Sequence, residues 1–107
     1  MSTVQIIEDS ANFQEVIKSE QPVLAYFWAS WCGPCRLVSP SIEWVSKEYG
    51  DRVIVIKLEI DKNQAAVAHC QVEGVPALRL FKNAAIIATH EGAITKQQLQ
   101  GFLEPYI

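Results

Sequence analysis

Two cysteines separated by two residues, Cys32 and Cys35, are the part of this sequence best suited to chemistry. They follow the apolar run Val23–Ala29, which is typical of a strand buried on both faces, and they lie where a helical pattern begins. Cysteines three positions apart at the start of a helix can reach each other. The spacing therefore predicts a pair of thiols that can close into a disulfide.

The predicted surroundings of Cys32 favour its ionised form. At the N-terminus of a helix, the dipole and the free N–H groups stabilise a thiolate and lower the pKa of a cysteine. Pro34 falls in the first predicted turn, where its missing N–H costs nothing. Gly33 allows the backbone to turn tightly, and Trp31 gives the pair an apolar rim.

A zinc site is the alternative interpretation of the same cysteines. Tetrahedral zinc needs four ligands, and the remaining candidates are Cys70, His69 and His90, with no second Cys-x-x-Cys. We therefore expect no metal, and we expect both histidines to be solvated. We interpret Cys70 as a small helix residue; the alternative is a regulatory thiol, which requires exposure and a tendency to ionise.

The elements that must position the pair alternate along the chain. Apolar runs predict strands at Thr3–Ile7, Val23–Ala29, Val53–Leu58, Ala77–Phe81 and Ala85–His90. Apolar residues three and four apart predict helices at Ala11–Lys18, Pro34–Tyr49, Asp61–Cys70 and from Thr95 onward. This order predicts an α/β fold in which a central mixed five-stranded sheet is flanked by four helices.

Two details refine these elements. Pro40 lies inside the longest predicted helix and should kink it, because proline lacks an N–H and clashes with the preceding turn. The segment Lys82-Asn83-Ala84 is predicted to be the loop of a hairpin.

The composition is that of a globular protein. A length of 107 residues suits one domain, which we place at residues 1–107. Half of the residues are hydrophobic and 20% are charged, and the formal net charge of −3 disfavours nucleic acid and anionic membranes. The segment Met1–Asp9 lacks the basic start and the apolar stretch of a signal peptide, so we expect a cytoplasmic location.

A second motif, Gly74-Val75-Pro76-Ala77, completes a resemblance to a known family. Trp31-Cys32-Gly33-Pro34-Cys35 is similar to the signature of the thioredoxin family, and Val75-Pro76 resembles its cis-proline loop. Other residues that match the family's order and spacing are Phe27, Trp28, Pro40, Lys57, Asp61, Gly74, Phe81-Lys82-Asn83 and Gly92. The resemblance covers essentially the whole chain and implies the thioredoxin fold.

The resemblance also implies an activity, that of a general protein-disulfide reductase. Cys32 would attack a substrate disulfide, Cys35 would resolve the mixed disulfide, and a thioredoxin reductase would recycle the pair. It implies no cofactor, and we expect a monomer. Disulfide-containing proteins would dock on a surface formed by Trp31, Gly74, Val75, Pro76, Gly92 and Ala93. Trp28 would pack beneath the site with Asp61 as its polar partner.

The chain departs from the family at two positions. Tyr26 stands where most thioredoxins have a buried aspartate, and Ala77 stands where a threonine usually follows the cis-proline. A phenol with a pKa near ~10 is largely protonated at neutral pH and cannot serve as a ready base. Tyr26 is thus either a core aromatic or a holder of a water or proton. Lys57 loses its expected carboxylate partner, and it is either a snorkelling strand residue or a site-facing one.

Two other functions compete with a reductase. An oxidase or isomerase of a secretory compartment uses the same chemistry, but the Gly33-Pro34 pair and the predicted absence of a signal peptide argue against it. A binding module would use the fold as a rigid subunit of an assembly, and its function would survive mutation of both cysteines.

Overall fold

Five strands form one mixed sheet in the computed structural model, which describes residues 3–107. The first two residues of the predicted domain, Met1 and Ser2, lie outside the described residues. The strands are β1 (Gln5–Ile7), β2 (Val23–Trp28), β3 (Ile54–Glu59), β4 (Ala77–Lys82) and β5 (Ala85–Glu91). They are ordered β1-β3-β2-β4-β5. The first three are parallel, and β4 and β5 are antiparallel additions, which confirms the predicted mixed sheet.

Helices cover both faces of the sheet. Within the described residues there are four, α1 (Ser10–Val16), α2 (Gly33–Glu48), α3 (Gln64–His69) and α4 (Lys96–Leu103), with 3-10 turns at Ile60–Lys62 and Glu104–Tyr106. Thr95, where the last helix was predicted to begin, is the N-cap residue of α4 and forms a reciprocal capping box with Gln98. The four predicted helices are therefore confirmed, although their boundaries shift.

The sheet separates two hydrophobic layers. Residues of β2 point alternately to the two sides. One side packs Ala25 and Phe27 against α1 and α3, and the other packs Leu24 and Tyr26 against α2 and α4. Every residue from Val23 to Phe27 is fully buried. This explains why the sequence of the central strand shows no alternation of polar and apolar residues.

Several predicted boundaries are corrected. The first strand begins at Gln5 rather than at Thr3. The first helix spans Ser10–Val16, one residue earlier than predicted at its start, because the Asp9 side chain accepts the Asn12 N–H at 2.7 Å and fixes the N-cap. The long helix begins at Gly33, ends at Glu48 and continues through Pro40.

The predicted helix Asp61–Cys70 is broken in two. The chain leaves β3 in a 3-10 turn, and α3 begins only after Asn63. The side chain of Asn63 is buried, and its Nδ2 donates to the carbonyls of Ile7 and Glu59 at 3.0 and 2.9 Å. Asn63 thus provides hydrogen-bond donors for two strand carbonyls, and the helix begins only after it.

Candidate active site

The Cys32–Cys35 pair lies at the N-terminus of α2, directly after the central strand. The two cysteines form a disulfide, and their Cα atoms are 5.3 Å apart. Cys32 is the N-cap residue, and its Sγ accepts the backbone N–H of Cys35 at 3.2 Å. The sulfur thus occupies the position where a capping oxygen usually satisfies a free helical N–H. This is the geometry that stabilises a thiolate on Cys32 when the pair is reduced.

A loop from far along the chain completes the site. The Val75–Pro76 peptide bond is cis, as the motif suggested. Val75 packs against the buried cluster of Ala29, Cys32 and Cys35. The sequence alone does not show that the Val75–Pro76 loop lies near the cysteines. The loop lies there because β4, which follows Pro76, pairs with β2, which leads into the cysteines.

Four of the six predicted docking residues line a groove at this junction. The Gly92 N–H donates to the Pro76 carbonyl at 2.9 Å, and Gly92 has φ of 88°, a conformation that glycine adopts without strain. Gly74, Val75, Pro76 and Gly92 line one groove with a volume of about 580 Å³. The remaining two predicted docking residues, Trp31 and Ala93, are exposed, and Trp31 is 67% accessible to solvent.

Tyr26 lies beneath the first turn of α2 and is fully buried. Its Oη and the Ser39 Oγ each lie 2.9 Å from the Cys35 carbonyl oxygen, and the two hydroxyls are 3.0 Å apart. Burial raises the pKa of Tyr26, with the Ser39 hydrogen bond opposing that shift. Tyr26 is therefore a neutral hydroxyl at neutral pH. It is a core aromatic whose hydroxyl is satisfied, and Ser39 is a part of the site that the sequence analysis missed.

The surroundings of Trp28 differ from the prediction. Lys57 is half-buried, and its Nζ lies 4.7 Å from the centre of the Trp28 ring, close enough for a cation–π interaction. Asp61, the predicted polar partner of Trp28, is exposed in the 3-10 turn after β3, and no hydrogen bond between the two is present in residues 3–107. This contact favours the site-facing interpretation of Lys57, because the Trp28 ring packs against the cluster that contains Cys32 and Cys35.

A buried arginine was also missed. Arg79 lies in β4 with only 3% of its surface exposed, and its Nη2 forms a 2.6 Å ion pair with Glu91. Its Nε donates to the carbonyl of Cys70 at 3.0 Å. A lone charged residue in the apolar run Ala77–Phe81 was the signal that could have found it.

Cys70 is a free, buried thiol at the end of α3. Burial raises its pKa to about 11, and the positive charge of Arg79 opposes that shift. The thiol is therefore neither exposed nor prone to ionise, which supports its interpretation as a small helix residue over a regulatory one.

The two histidines lie on α3 and β5, outside the cluster around Cys32 and Cys35. His69 is exposed and packs edge-on against Phe13, with ring centres 5.9 Å apart. The expectation that His90 is solvated is wrong in part, because it is half-buried, packs against Phe102 and has its Nε2 3.3 Å from the Ala93 carbonyl. In the part of the chain that the structure describes, no three His, Cys, Asp or Glu side chains form a set able to hold a metal ion.

Comparisons with known proteins agree with this geometry. The thioredoxin family model matches residues 4–105. A thioredoxin-like protein of Synechocystis sp. is 58% identical over 98 residues, covering 92% of this chain and 90% of that protein. The thioredoxin of Buchnera aphidicola is 43% identical over 101 residues, covering 94% and 93%. The crystal structure of Malassezia sympodialis thioredoxin superposes with a TM-score of 0.92 at 30% identity, covering 99% of this chain and 92% of that one. Among residues 3–107, no helix has the length and apolar character needed to cross a membrane.

Proposed function

Since the chain belongs to the thioredoxin family and is a dithiol–disulfide oxidoreductase of that type, we propose that it is a general protein-disulfide reductase in which Cys32 is the nucleophile. The observation that carries the assignment is the hydrogen bond from the Cys35 N–H to the Cys32 Sγ. Exposure does not separate the two residues, since 4% of Cys32 and 2% of Cys35 are accessible in the disulfide form. The helix N-terminus does separate them, because it stabilises negative charge on Cys32.

The first step joins the protein to its substrate. The Cys32 thiolate attacks one sulfur of a substrate disulfide, a new S–S bond forms, and the substrate's own S–S bond breaks. One substrate sulfur leaves as a thiolate and takes a proton from water. The result is a mixed disulfide between Cys32 and the substrate.

The second step releases the substrate. Cys35 loses its proton to water, and its thiolate attacks the Cys32 sulfur. The Cys32–Cys35 bond forms, the mixed disulfide breaks, and the second substrate sulfur departs as a thiolate that takes a proton from water. Two electrons have then passed from the cysteine pair to the substrate. The hydroxyls of Tyr26 and Ser39 hold the Cys35 carbonyl during this step and keep the first turn of the helix in place.

The substrate would lie across the groove beside the cysteines. The backbone of Val75 would pair with an extended substrate segment in the manner of β-augmentation. The exposed Trp31 would provide an apolar contact next to the sulfurs. Gly74, Pro76, Gly92 and Ala93 would form the remainder of this docking surface, with Gly33 and Pro34 shaping its edge at the helix start.

The oxidised pair needs a source of electrons for the next cycle. We assign this task to a thioredoxin reductase, and we place the protein in the cytoplasm as a monomer. A reducing compartment fits a chain whose third cysteine, Cys70, is a free buried thiol.

Substrate trapping tests the assigned roles. Cys35→Ser should accumulate mixed disulfides with protein substrates, because Cys32 can attack but nothing resolves the product. The matched variant, Cys32→Ser, should accumulate none. Mass spectrometry of the trapped species identifies the linked cysteine, and adducts on Cys35 in the Cys32→Ser protein would reverse the assignment.

The reduction potential distinguishes a reductase from an oxidase or isomerase. Thioredoxins lie near about −270 mV and disulfide isomerases near about −180 mV. Equilibration of the cysteine pair with a glutathione series should give a value near the lower potential, and a value near the higher one would contradict the proposal.

A further inference from the structure

Arg79 is a buried charge on the middle of the sheet. It lies on β4, on the face that packs against α1 and α3, where its neighbours across the sheet are Ala25 on β2 and Thr89 on β5. Removing a guanidinium from water is costly unless every part of it is hydrogen-bonded or paired. The contacts of Arg79 therefore indicate which segments of the chain its guanidinium connects.

The guanidinium contacts three backbone carbonyls and one carboxylate. Nε donates to Cys70 at 3.0 Å, Nη1 to Leu78 at 2.9 Å and Nη2 to Gln71 at 3.3 Å. Nη2 also pairs with Glu91 at 2.6 Å, and the Glu91 side chain is 56% exposed. Arg79 thus connects the end of α3 with the end of β5.

The carbonyls of Cys70 and Gln71 lie at a strained point of the chain. Gln71 has φ of 53°, a left-handed conformation that is unfavourable for a residue with a side chain. It closes α3 in a Schellman motif, in which the Val72 N–H donates to the Val67 carbonyl at 3.0 Å and the Gln71 N–H to the Ala68 carbonyl at 3.2 Å. This turn starts the segment 71–76, which ends in the cis Val75–Pro76 bond.

The same segment forms the groove beside the cysteines. The groove is lined by Gln71, Glu73, Gly74, Val75, Pro76, Glu91 and Gly92. Arg79 contacts two of these lining residues through its Nη2, which reaches both the Gln71 carbonyl and the Glu91 carboxylate. No other charged side chain of the described residues is as buried as Arg79.

We propose that Arg79 is a positioning and specificity-determining residue, which fixes segment 71–76 and Glu91 so that the backbone of Val75 is held ready for an extended protein substrate. This inference rests on the proposed protein-disulfide reductase function. Arg79 itself does not touch the sulfurs. Its loss should therefore weaken the binding of substrates that occupy the groove, and it should not change the reaction of substrates that contact only Cys32.

The experiment compares two substrates. Arg79→Met replaces the guanidinium with an apolar chain, and Arg79→Lys keeps the charge but loses the planar set of donors. KM and kcat are measured for the reduction of insulin, and a second-order rate is measured for a small aromatic disulfide. For Arg79→Met we expect KM for insulin to rise on the order of tenfold, since misplaced recognition groups weaken binding. The small-disulfide rate should stay within about twofold, and Arg79→Lys should recover part of the insulin KM.

Two further variants separate positioning from stability. Glu91→Gln removes the ion pair from the exposed side without leaving a cavity, and it should raise KM for insulin by about threefold. Leu99→Ala, in the core on the opposite face of the sheet, lowers stability without touching the groove, and both rates should match the wild type where the variant is folded. If Arg79→Met does not fold, the Lys and Gln variants decide the outcome by the same KM criterion.

Amide hydrogen exchange gives a readout that needs no activity. The Val72 N–H, which closes the turn at Gln71, should exchange faster in Arg79→Met and in Arg79→Lys but not in Leu99→Ala. Equal loss of rate on both substrates, or unchanged insulin KM, would overturn the inference. If the wild type reduced neither substrate, the proposed function would fail, and unchanged exchange at Val72 would then overturn the positioning role separately.

Discussion

At position 26, this chain replaces the family's usual buried aspartate with a neutral hydroxyl. The Tyr26 ring packs between β2 and α2, and its hydroxyl donates to the Cys35 carbonyl and lies 3.0 Å from the Ser39 Oγ. No negative charge from position 26 therefore opposes a thiolate above it. The pair of hydroxyls supports the backbone of Cys35 rather than exchanging a proton with its sulfur.

Two substitutions at position 26 separate volume from charge. Tyr26→Phe keeps the ring and loses only hydrogen bonding, and since Ser39 still donates to the Cys35 carbonyl, we expect a cost of about 1 kcal/mol. Tyr26→Asp loses aromatic volume and buries a charge, and should cost about 2–4 kcal/mol at neutral pH. Urea denaturation of both variants measures these differences. Equal free energies of unfolding for the wild type and Tyr26→Asp would contradict the account.

The aspartate variant should also alter the cysteine titration. A nearby negative charge disfavours a thiolate, so the pKa of the reduced pair should rise in Tyr26→Asp and not in Tyr26→Phe. Thiolate absorbance against pH provides the measurement, and identical titrations for the two variants would show that position 26 does not influence the sulfurs.

Among the elements, the hairpin between β4 and β5 has a shorter loop than predicted. The expected loop was Lys82-Asn83-Ala84, but Lys82 pairs with Ala85 and belongs to the strand. Asn83 and Ala84 have φ of 52° and 68°, as a two-residue type I′ turn requires. Asparagine tolerates this conformation, whereas alanine does not favour it. The sequence signal for such a turn is usually a glycine, and its absence explains the missed boundary.

Glycine at position 84 should therefore stabilise the protein. Ala84→Gly relieves the left-handed strain and should raise the free energy of unfolding by about 0.5–1 kcal/mol after the entropy cost of glycine. Ala85→Gly, in the adjacent strand residue, is the matched control and should lower it by a similar amount. Thermal or urea unfolding compares the two variants. If both destabilised the protein, the strain at Ala84 would not be what limits this turn.

At the scale of the molecule, the features that depend on local sequence patterns were predicted, whereas contacts between distant segments were not. The apolar run of β2 and the capping residue Thr95 act within their own segments, and the sheet and four helices follow from such signals. The meeting of Val75 with Cys32 depends on the pairing of β4 with β2, which no local pattern encodes. The resemblance to a family supplied that contact.

Contacts particular to this chain were not predictable from either source. Asn63 breaks the third helix because it bonds two strand carbonyls from distant segments. Arg79 is buried because the end of α3 and the residue Glu91 come together around it. Both side chains satisfy backbone groups that only the assembled sheet brings near them.

The buried thiol of Cys70 links the stability of the whole molecule to pH. The ordinary pKa of a cysteine is 9.0, and burial raises that of folded Cys70 to about 11. As pH rises above 9, the thiol of the unfolded chain ionises while that of the folded chain stays protonated, so the unfolded state gains stability. The contribution is fully present below pH 9 and is lost as pH approaches 11. Two pKa units correspond to about 2–3 kcal/mol.

The variant Cys70→Ser removes this titration and serves as the comparison. Urea denaturation of the oxidised protein, in which Cys32 and Cys35 do not titrate, is measured at several pH values between 8 and 11. Both proteins share every other ionisable group, so the difference between their stability curves isolates Cys70. We expect the wild type to lose stability more steeply, by about 2–3 kcal/mol over this range. Parallel curves would mean that the folded thiol ionises as readily as the unfolded one. Burial would then not raise the pKa of Cys70.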